Sequence, residues 1–380
     1  MVDYLIFLTI STAVLALFSL GLNLQWGFTG LINFGHIAFM TLGAYTTVLL
    51  SLKGVPLFVA VAIGAIVAAL LGLIIGFATL RLREDYLAIV TIGTGEVIRL
   101  VLNNENLPVG DTWVSGAFGV QTYPIPLSTA PNLFFQFLMI GLLTLLAGVT
   151  LFWLWRWIRY AQKSQAVDSS QKTVTVSKQE LATRLGVGII LALLTTAIYI
   201  SGVISLYNYN PKTGLMLLTV LILAFVFWRL EVLVRSPWGR VLKAIREDEE
   251  VPRAMGKNVF WYKVQSLILG GAIAGIAGAF YAWQLSAIYP DKTFEPQATF
   301  DAWIMVILGG SGNNIGTILG AVIFVAYDAI TREVLPRFVP LDEARLGAFR
   351  IMVIGLILMV LMIWRPQGIL GKKEELTLGK

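Results

Sequence analysis

Few side chains in this sequence can do chemistry, and their spacing limits what that chemistry is. His36 is the one histidine in 380 residues and cysteine is absent, which excludes disulfides, thiolate metal sites and cysteine nucleophiles. A lone imidazole with no nearby acid makes a poor metal site. A hydrogen-bonded histidine at a helix start is the alternative to a catalytic one. Glu96 falls inside an apolar stretch, where an ionisable group is costly and marks a functional position. Arg99 follows at the i,i+3 spacing of a helical ion pair, so pairing and a role lining a pathway both stay open. No G-x-x-x-x-G-K-[ST] phosphate loop occurs anywhere.

The densest charge lies between Arg235 and Lys263, RSPWGRVLKAIREDEEVPRAMGKNVFWYK, with four consecutive acids at 247–250. Ser236 offers an N-cap oxygen and Pro237 suits the first helical position. Trp238, Val241, Leu242 and Ile245 then share one face, while Arg240, Lys243 and Glu247 point elsewhere. Pro252 is expected to interrupt that helix, and Gly256 to close a second short turn after Ala254 and Met255. The apolar face suits a partner's groove. A solvated loop on the positive side of a membrane is the competing reading.

The elements that position these residues are set by composition. Apolar residues make up 57% and charged ones 13%, against about 45–50% and about 25% in soluble domains. With a mean hydropathy of +0.79, the chain reads as an all-α polytopic membrane protein of about ten hydrophobic segments. Spans are expected at about 5–24, 37–52, 57–80, 86–102, 133–155, 185–206, 214–234, 264–287, 302–330 and 349–364. MVDYLIFLTI has no basic leader region and reads as a first span. Residues 103–130 lack Lys and Arg and read as an external loop, whereas 159–183 is a polar, flexible linker. Most of the 28 Lys and Arg fall at 81–85, 156–184, 229–263 and 365–380. That asymmetry puts the N-terminus outside and the C-terminus in the cytoplasm. It requires the 302–330 block to return to the side it entered, as a re-entrant pair with arms of about ten residues.

Glycine-interrupted apolar segments occur once in each half, GFTGLINFGHIAFMTLGAY and ILGGSGNNIGTILGAV. Paired broken helices point to a midplane substrate path, and close small-residue packing is the alternative. Asn33, His36, Asn313 and Asn314 are the polar side chains there. Asp301 and Asp328 read as boundary residues.

The stretch WGRVLKAIREDEEVPRAMGKNV resembles the ATPase-coupling loop of LivM-type permeases, subunits of bacterial ABC importers for branched-chain and other neutral amino acids. GLNLQWGFTGLINFGHIAFMTLGAY, LRLREDYLAIVTIGTGEVIRLV and MVILGGSGNNIGTILGAV resemble the same family in the same order. The resemblance implies an ABC importer permease fold in the bacterial inner membrane, as one domain over 1–380. It implies an ATPase-coupling set of Trp238, Gly239, Arg240, Leu242, Ala244, Ile245, Arg246, Glu247, Ala254 and Gly256. With the broken segments, it implies a pathway set of Asn33, Gly35, His36, Glu96, Gly309, Gly310, Gly312 and Asn313. A second related permease, two ATPase subunits that bind the ATP, and an external substrate-binding protein are the implied partners, besides membrane lipid. No cofactor of the chain's own, no catalytic activity and no nucleic acid are expected. Against the family, 133–206 resembles an inserted two-span hairpin, PVGDTWVSGAFGV carries an added Trp113, and Glu250, Val251, Pro252 and Arg253 partly replace alanines. A urea or short-amide importer is the nearby alternative. An ion-coupled transporter using Glu96 is the alternative from another class.

Overall fold

The computed structural model describes residues 2–80, 84–166, 178–338 and 342–371. Arg81 and Arg83, the centre of the expected linker and the basic tail lie outside them. Helices dominate, and eight of those described are long and apolar enough to cross a membrane. Where the sequence suggests one domain, the chain falls into two compact units, one of residues 10–126 and 219–380 and one of 1–9 and 127–218.

The larger unit takes in most of α1 (Val2–Gln25) and is built round α2 (Ile37–Leu52), α3 (Leu57–Thr79) and α4 (Glu84–Asn104). In lipid, apolar side chains gain little by leaving one apolar surface for another, so helices associate where small residues let backbones approach. Gly64, Ala68 and Gly72 repeat every four residues along α3, Gly64 against Gly43 of α2, and Ala68 and Gly72 against Gly275 and Leu267 of the helix Val259–Leu285, called α10 below. A Cβ on Gly72 would lie 2.7 Å from the Leu267 carbonyl, and one on Gly43 of α2 would overlap the Gly275 backbone. The opposite face of α3 shows Phe58, Ile66 and Ile74 outward, as a lipid-facing surface requires.

After α4 the expected external loop contains a small hairpin, β1 (Asn106–Val109) with β2 (Thr112–Ser115). Gly110, at φ +62°, makes the tight turn between them. β3 (Val120–Gln121) later pairs with β4 (Ala287–Ile288). Strands of two to four residues leave no period for a sequence to show.

The smaller unit carries α5 (Leu133–Ala166) and α6 (Lys178–Tyr207), an antiparallel pair joined by Gln136 Nε2 donating to Tyr207 O at 2.9 Å and by a Thr144–Tyr199 contact at 3.2 Å. Both helices run into the stretch read as a flexible linker. Ala161, Gln162 and Lys163 are good helix formers whatever their polarity, so α5 continues to Ala166.

The remaining helices are α7 (Pro211–Arg235), α8 (Pro237–Glu247), α9 (Glu250–Ala254), α10, α11 (Pro290–Thr293), α12 (Gln297–Gly309), α13 (Asn314–Phe338) and α14 (Glu343–Trp364). α12 and α13 lie on either side of a sharp reversal at the expected place, but with lengths of 13 and 25 residues rather than about ten each. At 1.5 Å per residue these are about 20 and 37 Å long. Gly309 packs on Gly316 and Gly320 on Met305, which lets the arms lie side by side.

A Cβ on Gly278 of α10 would overlap the Met40 carbonyl, whereas one on Gly141 meets open space. Gly278→Val is expected to cost about 1–3 kcal/mol and to lower the thermal unfolding temperature in detergent; Gly141→Ala should leave it unchanged.

Candidate functional site

The charged loop forms two helices at a corner. Pro237 begins α8 as expected, but Ser236 does not cap it; its Oγ donates to Leu233 O at 2.6 Å. Gly239 fits because a side chain there would strike Val234. Trp238 Nε1 donates to Gln265 Oε1 at 2.6 Å. Leu242 and Ile245 are buried in the chain's own unit, so the face expected to seat a partner is already occupied.

α8 ends at Asp248, in extended conformation, rather than at Pro252. Pro252 lies in the first turn of α9, where its missing N–H removes no helical bond. Asp248 Oδ1 accepts from Glu250 N at 2.9 Å. Lys263 Nζ holds Glu249 at 2.6 Å, tying α9 to α10. Gly256 closes the turn at φ +75° with its N–H on Arg253 O. The surface left outward carries Arg240, Glu247 and Ala254, with Val251 51% and Met255 65% exposed. These two apolar side chains stand four apart on a short polar helix, a signal that was legible but overshadowed by the α8 face.

The first broken segment is held by amides. Asn33 Nδ2 donates to Gln25 Oε1 at 2.8 Å, Gly35 N to Asn33 Oδ1 at 3.0 Å, and Trp303 Nε1 to Asn33 O at 3.1 Å. His36 is fully buried, its Nε2 3.1 Å from Phe18 O. It thus bonds α1 and does not cap α2. The second segment lies at the α12–α13 reversal. Ile369 N and Leu370 N donate to Leu308 O and Gly309 O, each at 3.0 Å, satisfying carbonyls that a helix end leaves open. Asn313 Nδ2 reaches Leu370 O at 2.8 Å, and its Oδ1 accepts from Ile315 N at 3.0 Å.

Of the expected pathway set, the structure brings Gly35 and Glu96 together at one small, shallow crevice, with Phe34, Ile37, Ile92, Gly95, Arg99, Phe294 and Pro296. Asn33 and His36 are bonded behind that wall. Gly309, Gly310, Gly312 and Asn313 belong to the reversal instead, where close packing and capping use them. At the crevice edge, Arg99 meets both Glu96 oxygens, at 2.5 and 3.0 Å, and also Asp291 of α11. Asp291 and Phe294 were not foreseen: α11 is one turn long, and its pairing with α4 spans 192 residues.

Eight long apolar helices among the described residues and interlocked glycines fit a multi-pass membrane protein. The chain belongs to the family described as "Branched-chain amino acid transport system / permease component", whose model matches residues 4–362. It is similar to the high-affinity branched-chain amino acid transport permease LivM of Salmonella typhimurium, 28% identical over 363 residues. LivM of Escherichia coli K12 is 29% identical; both matches cover 94% of this chain and 68% of the relative. The xylose transport permease XylH of E. coli K12 is 29% identical over 198 residues, 50% of this chain and 44% of its own. No solved structure matches. As a transport component of an ABC system, the chain works with ATPase and binding-protein partners.

A Cβ on Gly95 has room, 3.7 Å from Gly35 Cα, while Gly93, on roughly the opposite face of α4, meets open space. Gly95→Phe, which fills the crevice, is expected to cut solute uptake at least tenfold with normal membrane insertion. Gly93→Phe should transport as the wild type does.

Proposed function

We propose that this chain is the membrane-spanning subunit of an ATP-driven importer of branched-chain and other neutral amino acids, pairing with a second related permease and with two ATPase subunits that bind the ATP. The observation that carries the coupling assignment is the outward Val251–Met255 pair of α9, held on a charged loop that the chain braces from within. An ATPase groove would receive this pair, with Arg240, Glu247, Ala254 and Gly256 around it. Arg246 and the α8 core residues would serve the loop's internal support. The crevice at Gly35, Gly95 and Glu96 would lie on the solute path.

Orientation is argued from neighbours. Arg246 of α8 lies beside Gly312, and Gly310 lies beside Gly371, so the charged loop and the chain after α14 share one side. The positive-inside rule makes that side cytoplasmic, with the N-terminus outside the inner membrane. The α5–α6 hairpin fits an insertion, since its two helices pack chiefly on each other.

Ion-coupled transport through Glu96 is disfavoured, because its carboxylate is engaged by Arg99 on both oxygens. The test is uptake of labelled leucine by cells with and without the gene, competed by unlabelled alanine and by urea. Loss on deletion, with competition by alanine only, is expected. Leucine uptake that survives deletion, or competition by urea, would discard the substrate. Val251→Asp with Met255→Asp should abolish ATPase co-purification and uptake together, and retention of both would sink the docking assignment.

A further inference from the structure

Arg246 points into the chain and not toward solvent, with its side chain only 19% exposed. Its Nη1 donates to Gly27 O at 2.5 Å, a charge-assisted bond to the loop that follows α1. A Cβ on Gly30 would lie 3.4 Å from its Cγ, and one on Gly312 would lie 2.7 Å from its Nη1. Gly30 and Gly312 also sit at φ +82° and +73°, conformations that only glycine adopts without strain. Backbone geometry and the guanidinium thus demand the same residues. The slot for Arg246 lies where the two chain reversals meet, one after α1 and one between α12 and α13.

Those reversals are bonded to each other. Gly312 N donates to Asn23 Oδ1 at 2.9 Å, and Asn23 Nδ2 donates to Asn314 Oδ1 at 3.1 Å. Asn23 and Asn314 are buried. Asn314 Nδ2 in turn reaches Glu231 Oε1 at 3.2 Å, on α7 one turn before the α7–α8 corner. The joined reversals are therefore gripped at two points, by Glu231 of α7 before the corner and by Arg246 of the charged loop beyond it.

We propose that Arg246 is a positioning residue, the strut through which displacement of the charged loop moves both reversals together. Resting on the reading that this loop docks an ATPase, the assignment separates two tasks within it. α9 faces the partner, and Arg246 on α8 passes the movement inward. A strut of this kind acts on transport per ATP and leaves docking alone, because its contacts lie inside the chain.

The experiment uses the full importer, this chain with its partner permease, ATPases and binding protein, reconstituted in liposomes. It reads ATPase co-purification and leucine moved per ATP hydrolysed. Arg246→Ala is expected to retain the ATPases and to lower leucine per ATP at least tenfold. Arg246→Lys, which can still reach Gly27 O, should recover part of the loss. Gly312→Ala keeps the charge and crowds the same slot; it should show the same drop, and it serves if Arg246→Ala fails to insert. A wild-type ratio in Gly312→Ala or Arg246→Ala overturns the proposal, as does loss of the ATPases from Arg246→Ala. A wild-type importer that moves no leucine or other solute on ATP overturns the functional reading beneath it.

Discussion

Contact between backbones, with no side chain between them, is the constraint on which the larger unit rests. α2, α3 and α10 meet through Gly43, Gly64, Gly72 and Gly275, where a single added carbon has no room. A helix bundle in water could gather round large apolar side chains, because water expels them. Surrounded by lipid, such side chains gain nothing from turning inward, and they are found outward at Phe58, Ile66 and Ile74. Dispersion between closely apposed backbones takes their place. Size thus replaces polarity as the property that sorts inside from outside.

The same approach leaves room for neutral amides at depth. Asn23, Gln25, Asn33 and Asn314 are all buried and all bonded to one another or to backbone. Uncharged groups can be satisfied there at modest cost, whereas an unpaired charge could not. Irregular backbone after α1 and after α12 survives because these amides close its hydrogen bonds. The two glycine-broken segments are thereby stitched into one structure, although 286 residues separate Ser19 from Met305, which also touch.

Much of this was legible because the strongest signals are local. A long apolar run fixes a span, as at Leu57–Thr79, and the shorter α2 runs over Ile37–Leu52 as its sequence pattern predicts. The Glu96–Arg99 pairing was one of the two readings that the i,i+3 spacing allowed. What stayed hidden depends on partners far along the chain. Gly309 and Gly316 read equally as pathway or packing until their neighbours are known, and nothing near Asp291 announces Arg99. The apolar stripe of α8 misled for a related reason: periodicity shows that a face must be covered, not by which part of the chain. Pro252 misled because a proline that ends a long helix can open a short one.

The residues after α14 fasten the turn between α12 and α13, through Ile369, Leu370 and the Asn313 amide. On a ribosome these residues emerge some sixty positions after the turn they secure. The α12–α13 pair therefore spends that stretch of synthesis with the carbonyls of Leu308 and Gly309 unclosed, and its final geometry waits for the chain beyond α14. Biogenesis of this half is ordered in time, its latch being the last described part to be made.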